Sequence, residues 1–251
     1  MGCWCEWRAS KPLRYVLPSM ITLWSRDSFL ARCTLSKAQI QELAVQVADQ
    51  NDLRIESKLN GAVRTCRKCR ALKPDRTHHC STCRQCVLKM DHHCVYINKC
   101  IGYFNYKFFV LFLGWSSITC LYQSSLLFRY VLAYSLNQTT KLMALGKLRL
   151  FDPHLQTVIV FFGSTCLGLA LACFYIVHMY FVANNYSTLE YCEKRDDLDH
   201  VNYYNVGLLR NFQEVFGTFY EFPYWFIPVH SPSFRKRDGK TFPLNKFIKA
   251  D

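Results

Sequence analysis

Seven cysteines and four histidines of this 251-residue chain crowd into positions 66 to 100. They are Cys66 and Cys69; His78, His79, Cys80, Cys83 and Cys86; His92, His93 and Cys94, preceded by Asp91; and Cys100. A Cys-x-x-Cys pair turns both sulfurs toward one ion, and Cys66/Cys69, Cys80/Cys83 and Cys83/Cys86 all have that spacing. Zinc takes four such ligands in a tetrahedron. Two closed sites consume eight of the eleven and leave three over. Cys94 lacks the paired spacing and follows Asp91, His92 and His93. A thiol near an imidazole that is near a carboxylate is an arrangement of nucleophile, base and orienter. A neighbouring base or positive charge favours the reactive thiolate. The competing reading makes Cys94 one more ligand in a purely structural metal segment.

The elements that must position these groups are set by hydropathy. Residues 108–128 contain no Asp, Glu, Lys or Arg, and neither do residues 153–189. About 20 helical residues cross a bilayer core ~30 Å thick, so membrane helices are expected at 107–128 and 155–183. Cys94 lies 14 residues before residue 108, which brings the Cys-rich segment, residues 61–106, against the membrane face. Residues 1–60 form a poorly specified N-terminal segment. Residues 15–25 are apolar but too short to span. A short amphipathic helix is expected near 36–48, where Ser36 and Gln39 form a capping box and Ile40, Leu43 and Val47 recur at helical spacing. Residues 129–154 form a loop between the spans, and residues 184–251 form a tail rich in aromatics.

The chain is 51% hydrophobic and carries a net charge of +13. That composition excludes disorder for most of it and points to an anionic partner. Ten Lys and Arg lie between residues 60 and 107, three lie between 137 and 154, and nine follow the second span. The positive-inside rule therefore sets the Cys-rich segment and the C-terminal tail in the cytosol and the loop in the lumen or exterior. Thiols in the reducing cytosol serve metals or catalysis rather than disulfides. Nucleic acid is set aside as a partner because the Cys/His cluster abuts an apolar span. Lys73, Arg76 and Lys89 are candidate contacts for a polyanionic cofactor, with anionic lipid as the alternative. His178 lies inside the second apolar run, where an ionisable residue draws functional attention.

The segment resembles the DHHC protein S-acyltransferases, the palmitoyltransferases. The likeness rests on Asp91-His92-His93-Cys94 within the frame from Cys66 to Cys100. It also rests on Lys73-Pro74-Asp75-Arg76, His78-His79-Cys80, Leu88-Lys89-Met90 and Asn105-Tyr106-Lys107-Phe108-Phe109. It continues into Ser187-Thr188-Leu189-Glu190, similar to the family's Thr-Thr-x-Glu motif. Residues 202–217, with Tyr204, Gly207, Asn211 and Phe216, look like its C-terminal aromatic motif. The resemblance implies an α-helical multi-pass membrane protein with a cytosolic Cys-rich domain binding two structural zinc ions. One zinc would be held by Cys66, Cys69, His79 and Cys86, and the other by Cys80, Cys83, His93 and Cys100. Cys94 would be the acylated nucleophile, His92 its base and Asp91 the orienter of His92. The co-substrate would be a fatty acyl-CoA such as palmitoyl-CoA; Phe109, Phe112 and Tyr122 are candidates for lining its chain and equally for packing against lipid. The acceptors would be membrane-associated proteins with cytosolic cysteines, at the Golgi, the endoplasmic reticulum or the plasma membrane.

Two departures from the family pattern stand out. Val95-Tyr96 replaces the Pro-Trp that normally follows the reactive cysteine. Two apolar runs are present where the family usually has a further pair before the Cys-rich segment. The sequence therefore also admits a shortened, catalytically impaired zinc-binding membrane adaptor or regulator of full-length relatives.

Overall fold

The computed structural model describes residues 64–145, 153–194 and 201–245. The helix expected near 36–48 and the rest of residues 1–60 lie outside these. The chain divides into two compact units, Met1–Lys89 and Met90–Asp251.

The described part of the first unit is two small antiparallel hairpins. Strand β1 (Thr65–Cys66) pairs with β2 (Ala71–Leu72), and β3 (His78–Cys80) pairs with β4 (Gln85–Val87). Each four-residue turn ends in a left-handed residue, Arg70 at φ 51° and Arg84 at φ 56°. Val87 and Leu88 are its large buried aliphatics among the described residues. Strands of two or three residues cannot assemble a hydrophobic core of their own, and small domains of this kind rely on metals or disulfides.

The second unit opens with a third hairpin, β5 (His92–Cys94) against β6 (Lys99–Ile101), whose turn ends in Asn98 at φ 50°. Asn105 closes it onto the first helix. Its Oδ1 accepts the Gly102 N–H at 2.7 Å and its Nδ2 donates to the Cys100 carbonyl at 2.9 Å. Helix α1 runs Tyr106–Leu145 and α2 runs Pro153–Asn184. Both are apolar and long enough to cross a membrane, over Tyr106–Ala133 and Leu155–Asn184. Helix α1 continues through residues 129–145, assigned to a loop from hydropathy. The charge at Arg129 ends the apolar run, but no Gly or Pro occurs between 129 and 145 to break the helix.

The two helices pack antiparallel. Gly114 faces the Tyr175 ring, and a Cβ on Gly168 would sit 3.0 Å from Cys120 and Leu121. Further along, the Ser124 and Thr165 hydroxyls share a hydrogen bond and Phe128 meets Phe161. Small residues and hydroxyls at helix contacts are the device that works where both surroundings are apolar. Phe112, Trp115, Ile118, Tyr122, Phe162 and Phe174 remain more than half exposed on the described surface. A continuous apolar face of this size calls for lipid or further helices.

Beyond α2 the chain turns at Asn185, φ 52°, into α3 (Thr188–Lys194), then α4 (Leu208–Phe216), a kinked 3-10 segment (Phe219–Trp225) and α5 (Pro232–Arg235). The last carbonyls of a helix lack internal partners. Here side chains from downstream supply them. Asn211 Nδ2 donates to Ala183 O at 2.7 Å, and Asn202 Nδ2 donates to Asn184 O at 2.6 Å. Lys107, in the first turn of α1, donates to the carbonyls of Tyr224 at 2.6 Å and Val229 at 2.7 Å. Glu221 receives the Thr218 and Ser233 amides at 3.0 and 2.8 Å. Gly217, at φ 105°, passes so close to Ser231 that a Cβ there would collide with its hydroxyl.

Asn211 is fully buried and also accepts the Val206 N–H at 3.1 Å. Asn211→Leu strands both backbone groups, each worth about 1–3 kcal/mol. A lowered melting temperature in detergent, with intact expression, is the expected result. Glu221 gives a pH signature. Partial burial pushes its carboxyl up, but hydrogen bonds from Ser233 and Thr218 outweigh this and hold it at about 2 against an ordinary 4.5. A depressed carboxyl stabilises the fold above the unfolded value and loses that contribution as pH falls through the folded one. Thermal melts from pH 5 to pH 2 should therefore fall more steeply for the wild type than for Glu221→Gln.

Candidate active site and metal-ligand clusters

The register of the first two hairpins gathers one ligand set. His79 and Cys86 are direct partners across β3 and β4, so their side chains share a face. The Cys66/Cys69 turn supplies two more sulfurs. His79 Nδ1 lies 3.5 Å from Cys66 Sγ, 3.2 Å from Cys69 Sγ and 3.9 Å from Cys86 Sγ, and the Cys69 and Cys86 sulfurs are 3.7 Å apart. A tetrahedron with metal–sulfur bonds of ~2.3 Å has sulfurs about 3.8 Å apart, so these four ligands fit a zinc ion. Burial, with Lys68 and Lys73 nearby, pushes the His79 imidazolium down and keeps the ring neutral, the form a metal needs. Burial and hydrogen bonding to its thiol neighbours push Cys86 up. A dication in the centre removes that obstacle to a full set of thiolates.

The other predicted ligands form two pairs. Cys80 and Cys83 make the second Cys-x-x-Cys turn in the first unit, with the Cys83 amide 3.3 Å from Cys80 Sγ. His93 and Cys100 face each other across β5 and β6 in the second unit, at 3.6 Å between Nδ1 and Sγ.

Strand β5 separates the two kinds of chemistry. Side chains alternate along a strand, so His92 and Cys94 share one face while His93 takes the other. Asp91, just before the strand, is 1% exposed. Its Oδ2 lies 2.7 Å from His92 Nδ1. It also receives two bonds from Thr188, from the amide to Oδ1 at 2.8 Å and from the hydroxyl to Oδ2 at 2.9 Å. Thr188 is held by a reciprocal cap at the start of α3. The Ser187 amide donates to Glu190 Oε2 at 2.9 Å and the Glu190 amide donates to Ser187 Oγ at 3.2 Å. With Nδ1 committed to a carboxylate, the free position of the His92 ring is Nε2, the tautomer of a general base.

Cys94 is 8% exposed and sits in an apolar cluster with Ile101, Tyr106, Val110, Val182, Val215 and Phe216. Phe109 packs on this cluster and meets the His92 ring edge-on at 5.0 Å between centroids. His178 stands behind, 6.3 Å from His92 between centroids, with its Nδ1 3.1 Å from the Tyr106 hydroxyl. Sequence reasoning singled out His178 without a partner. It named the residues around Thr188 as a motif without their carboxylate. Of the three cationic candidates, Arg76 and Lys89 are buried, at 1% and 8% exposure, and Lys73 is half-buried. Phe112 and Tyr122 are exposed.

A family model described as DHHC palmitoyltransferase matches residues 60–195. The chain is 33% identical to Palmitoyltransferase ZDHHC2 of Danio rerio over 249 residues, which is 97% of this chain and 64% of that protein. It is 38% identical over 187 residues to Palmitoyltransferase ZDHHC15 of Rattus norvegicus, covering 74% of this chain and 51% of the relative. Palmitoyltransferase ZDHHC20-A of Danio rerio matches at 36% over 189 residues, 73% of this chain and 48% of the relative. The chain thus spans from about half to just under two thirds of the length of these curated relatives.

The geometry separates metal ligands from the Cys94 face. Cys66→Ser should lower the zinc content measured by plasma mass spectrometry and destabilise the hairpins. Cys94→Ser should leave the zinc content at the wild-type value.

Proposed function

The chain belongs to the DHHC palmitoyltransferase family, and from that premise we propose that it is a protein S-acyltransferase working through an acyl-Cys94 intermediate. The observation that carries the reading is the buried Asp91 carboxylate 2.7 Å from His92, beside a cysteine on the same strand face. His92 Nε2 takes the Cys94 proton, and the thiolate attacks the thioester carbonyl of a fatty acyl-CoA. The bond to the coenzyme A sulfur breaks, and that sulfur leaves with the proton. In the second half, an acceptor cysteine of a membrane-associated protein gives its proton to His92 and attacks acyl-Cys94. The new thioester forms and Cys94 is released as the thiol. Asp91 holds the ring tautomer and balances the transient imidazolium. Phe109 and the surrounding cluster keep water from the thioester and offer an apolar seat for the first carbons of the chain. Each buried CH₂ contributes about 0.8 kcal/mol.

Two zinc ions would act as folding staples, since closed sites leave no position for substrate. One would be held by Cys66, Cys69, His79 and Cys86, and the family resemblance assigns Cys80, Cys83, His93 and Cys100 to the other. The apolar helices are proposed to cross the bilayer over residues 107–128 and 155–183, with the zinc domain of 61–106 and the tail of 184–251 in the cytosol. Residues 129–154 then lie on the lumenal or exterior side of an endomembrane or the plasma membrane. Among the three cationic candidates for coenzyme A phosphates, the exposure of Lys73 favours it over Arg76 and Lys89. The adaptor reading is not favoured, because the relatives are palmitoyltransferases and Asp91 orients His92 on the strand face that carries Cys94.

Incubation of the purified protein with labelled palmitoyl-CoA should place a hydroxylamine-sensitive label on Cys94. Folded, zinc-loaded wild type that stays unlabelled overturns the enzyme reading. Asp91→Asn, which removes the anion that sets the His92 tautomer, should slow labelling by about 10²–10⁴-fold. Thr188→Val keeps the amide bond and loses only the hydroxyl, so it should retain more activity than Asp91→Asn.

A further inference from the structure

The three hairpins are copies of one plan. Cys66, Cys80 and Cys94 fall 14 residues apart, and each ends the first strand of its hairpin. Each is paired across the hairpin with the residue five positions on, Ala71, Gln85 and Lys99. Each is followed by a four-residue turn whose last residue is left-handed: Arg70 at 51°, Arg84 at 56° and Asn98 at 50°. A left-handed arginine or asparagine is uncommon, so three at matching positions mark a shared backbone. The rung before the cysteine also corresponds. It is Thr65 with Leu72 in the first copy, His79 with Cys86 in the second and His93 with Cys100 in the third.

Where the copies differ is the third turn residue. It is Cys69 in the first hairpin, Cys83 in the second and Ile97 in the third. In the first two, the amide of this residue points at the sulfur of the strand cysteine, at 3.4 and 3.3 Å. No such bond to the Cys94 sulfur is found among the described residues. Ile97 instead packs on the apolar cluster that contains Cys94.

We propose that the β5–β6 hairpin is a third, degenerate metal knuckle, and that Ile97, standing where a second ligand sulfur would be, keeps Cys94 out of a coordination shell. The first copy has a knuckle and no ligand rung. The third has a ligand rung and half a knuckle. The two knuckles and the two ligand rungs supply eight donors, and the Cys94 sulfur belongs to neither kind of pair. A lone thiolate among apolar neighbours offers a dication one bond in exchange for its hydration, which is unfavourable. Ile97 is thus a positioning residue: it takes no part in bond making and decides which chemistry its neighbour performs. The inference deepens the reading of Cys94 as the nucleophile, yet its metal readout does not depend on transfer activity.

The test restores the ligand. Ile97→Cys and Ile97→His, with Ile97→Val as control, are purified with zinc and judged folded by keeping at least the wild-type metal content. Zinc per chain and the rate of Cys94 alkylation by iodoacetamide are then measured, with and without a mild chelator. Either restored-ligand variant should bind about one further zinc, with His92 on the Cys94 face as a third donor. Its Cys94 alkylation should slow by about tenfold or more and recover on chelation. Ile97→Val should match wild type in both. A folded variant that gains no zinc, or gains it while Cys94 reacts as before, overturns the proposal. The wild type provides a second measurement that needs no variant. Excess zinc must leave its Cys94 alkylation unchanged, and protection by zinc would also overturn the proposal. If Cys94 is trapped as expected while wild type does not autoacylate, the knuckle relation stands and the enzyme reading falls.

Discussion

A buried carboxylate organises the reactive part of this molecule. Asp91 has almost no solvent contact, so its charge must be met by protein groups, or the burial costs several kcal/mol. It is met from two directions, by the ring of the next residue and by the amide and hydroxyl of Thr188, 97 positions later. The same contacts that satisfy the charge orient His92 and tie the start of α3 to the start of β5. Loss of any one partner disturbs the others, because they share two oxygen atoms.

That carboxylate can hold its place because the elements around it are closed at their ends. The C-terminal carbonyls of α2 are met by Asn211 and Asn202, and the aromatic segment that follows α4 is held to α1 by Lys107, which donates to the Tyr224 and Val229 carbonyls, and by Trp115, which donates to the Phe226 carbonyl. The aromatic segment after α4 is therefore anchored by backbone carbonyls as well as by ring contacts such as Phe216 with Trp225. Thr188 reaches Asp91 from a short helix whose own start is capped by Ser187 and Glu190. Polar side chains bind backbone groups at each joint, as they must where helix ends are buried.

The hairpins face the opposite problem. They have too few apolar residues for a core, and their strands are too short to persist alone. Rung pairs and knuckle turns convert cysteine and histidine into the substitute for that core. Alternation along β5 sets His93, which pairs with Cys100, on the opposite face from its two neighbours, His92 and Cys94. One three-residue strand serves both purposes only because adjacent side chains point to opposite sides.

Ligand chemistry was legible in the sequence because its donors lie within 35 residues of one another and few residue types can provide it. The apolar helices were legible because hydropathy is local, and the family likeness read from Asp91 to Cys94 is borne out by the match over residues 60–195. The 14-residue repeat was present but hidden, since the residue types change from copy to copy while the backbone plan does not. The end of α1 was misjudged because hydropathy stops at Arg129 and helix propensity does not. What only the tertiary structure decided is which distant groups meet. It joined Thr188 to Asp91 and Tyr106 to His178, and it buried Arg76 and Lys89, whose charge had made them candidate contacts for a polyanion. Pattern and spacing report the chemistry a short stretch can perform. Burial and contacts between residues 70 to 100 positions apart depend on how whole helices pack, which no local pattern contains.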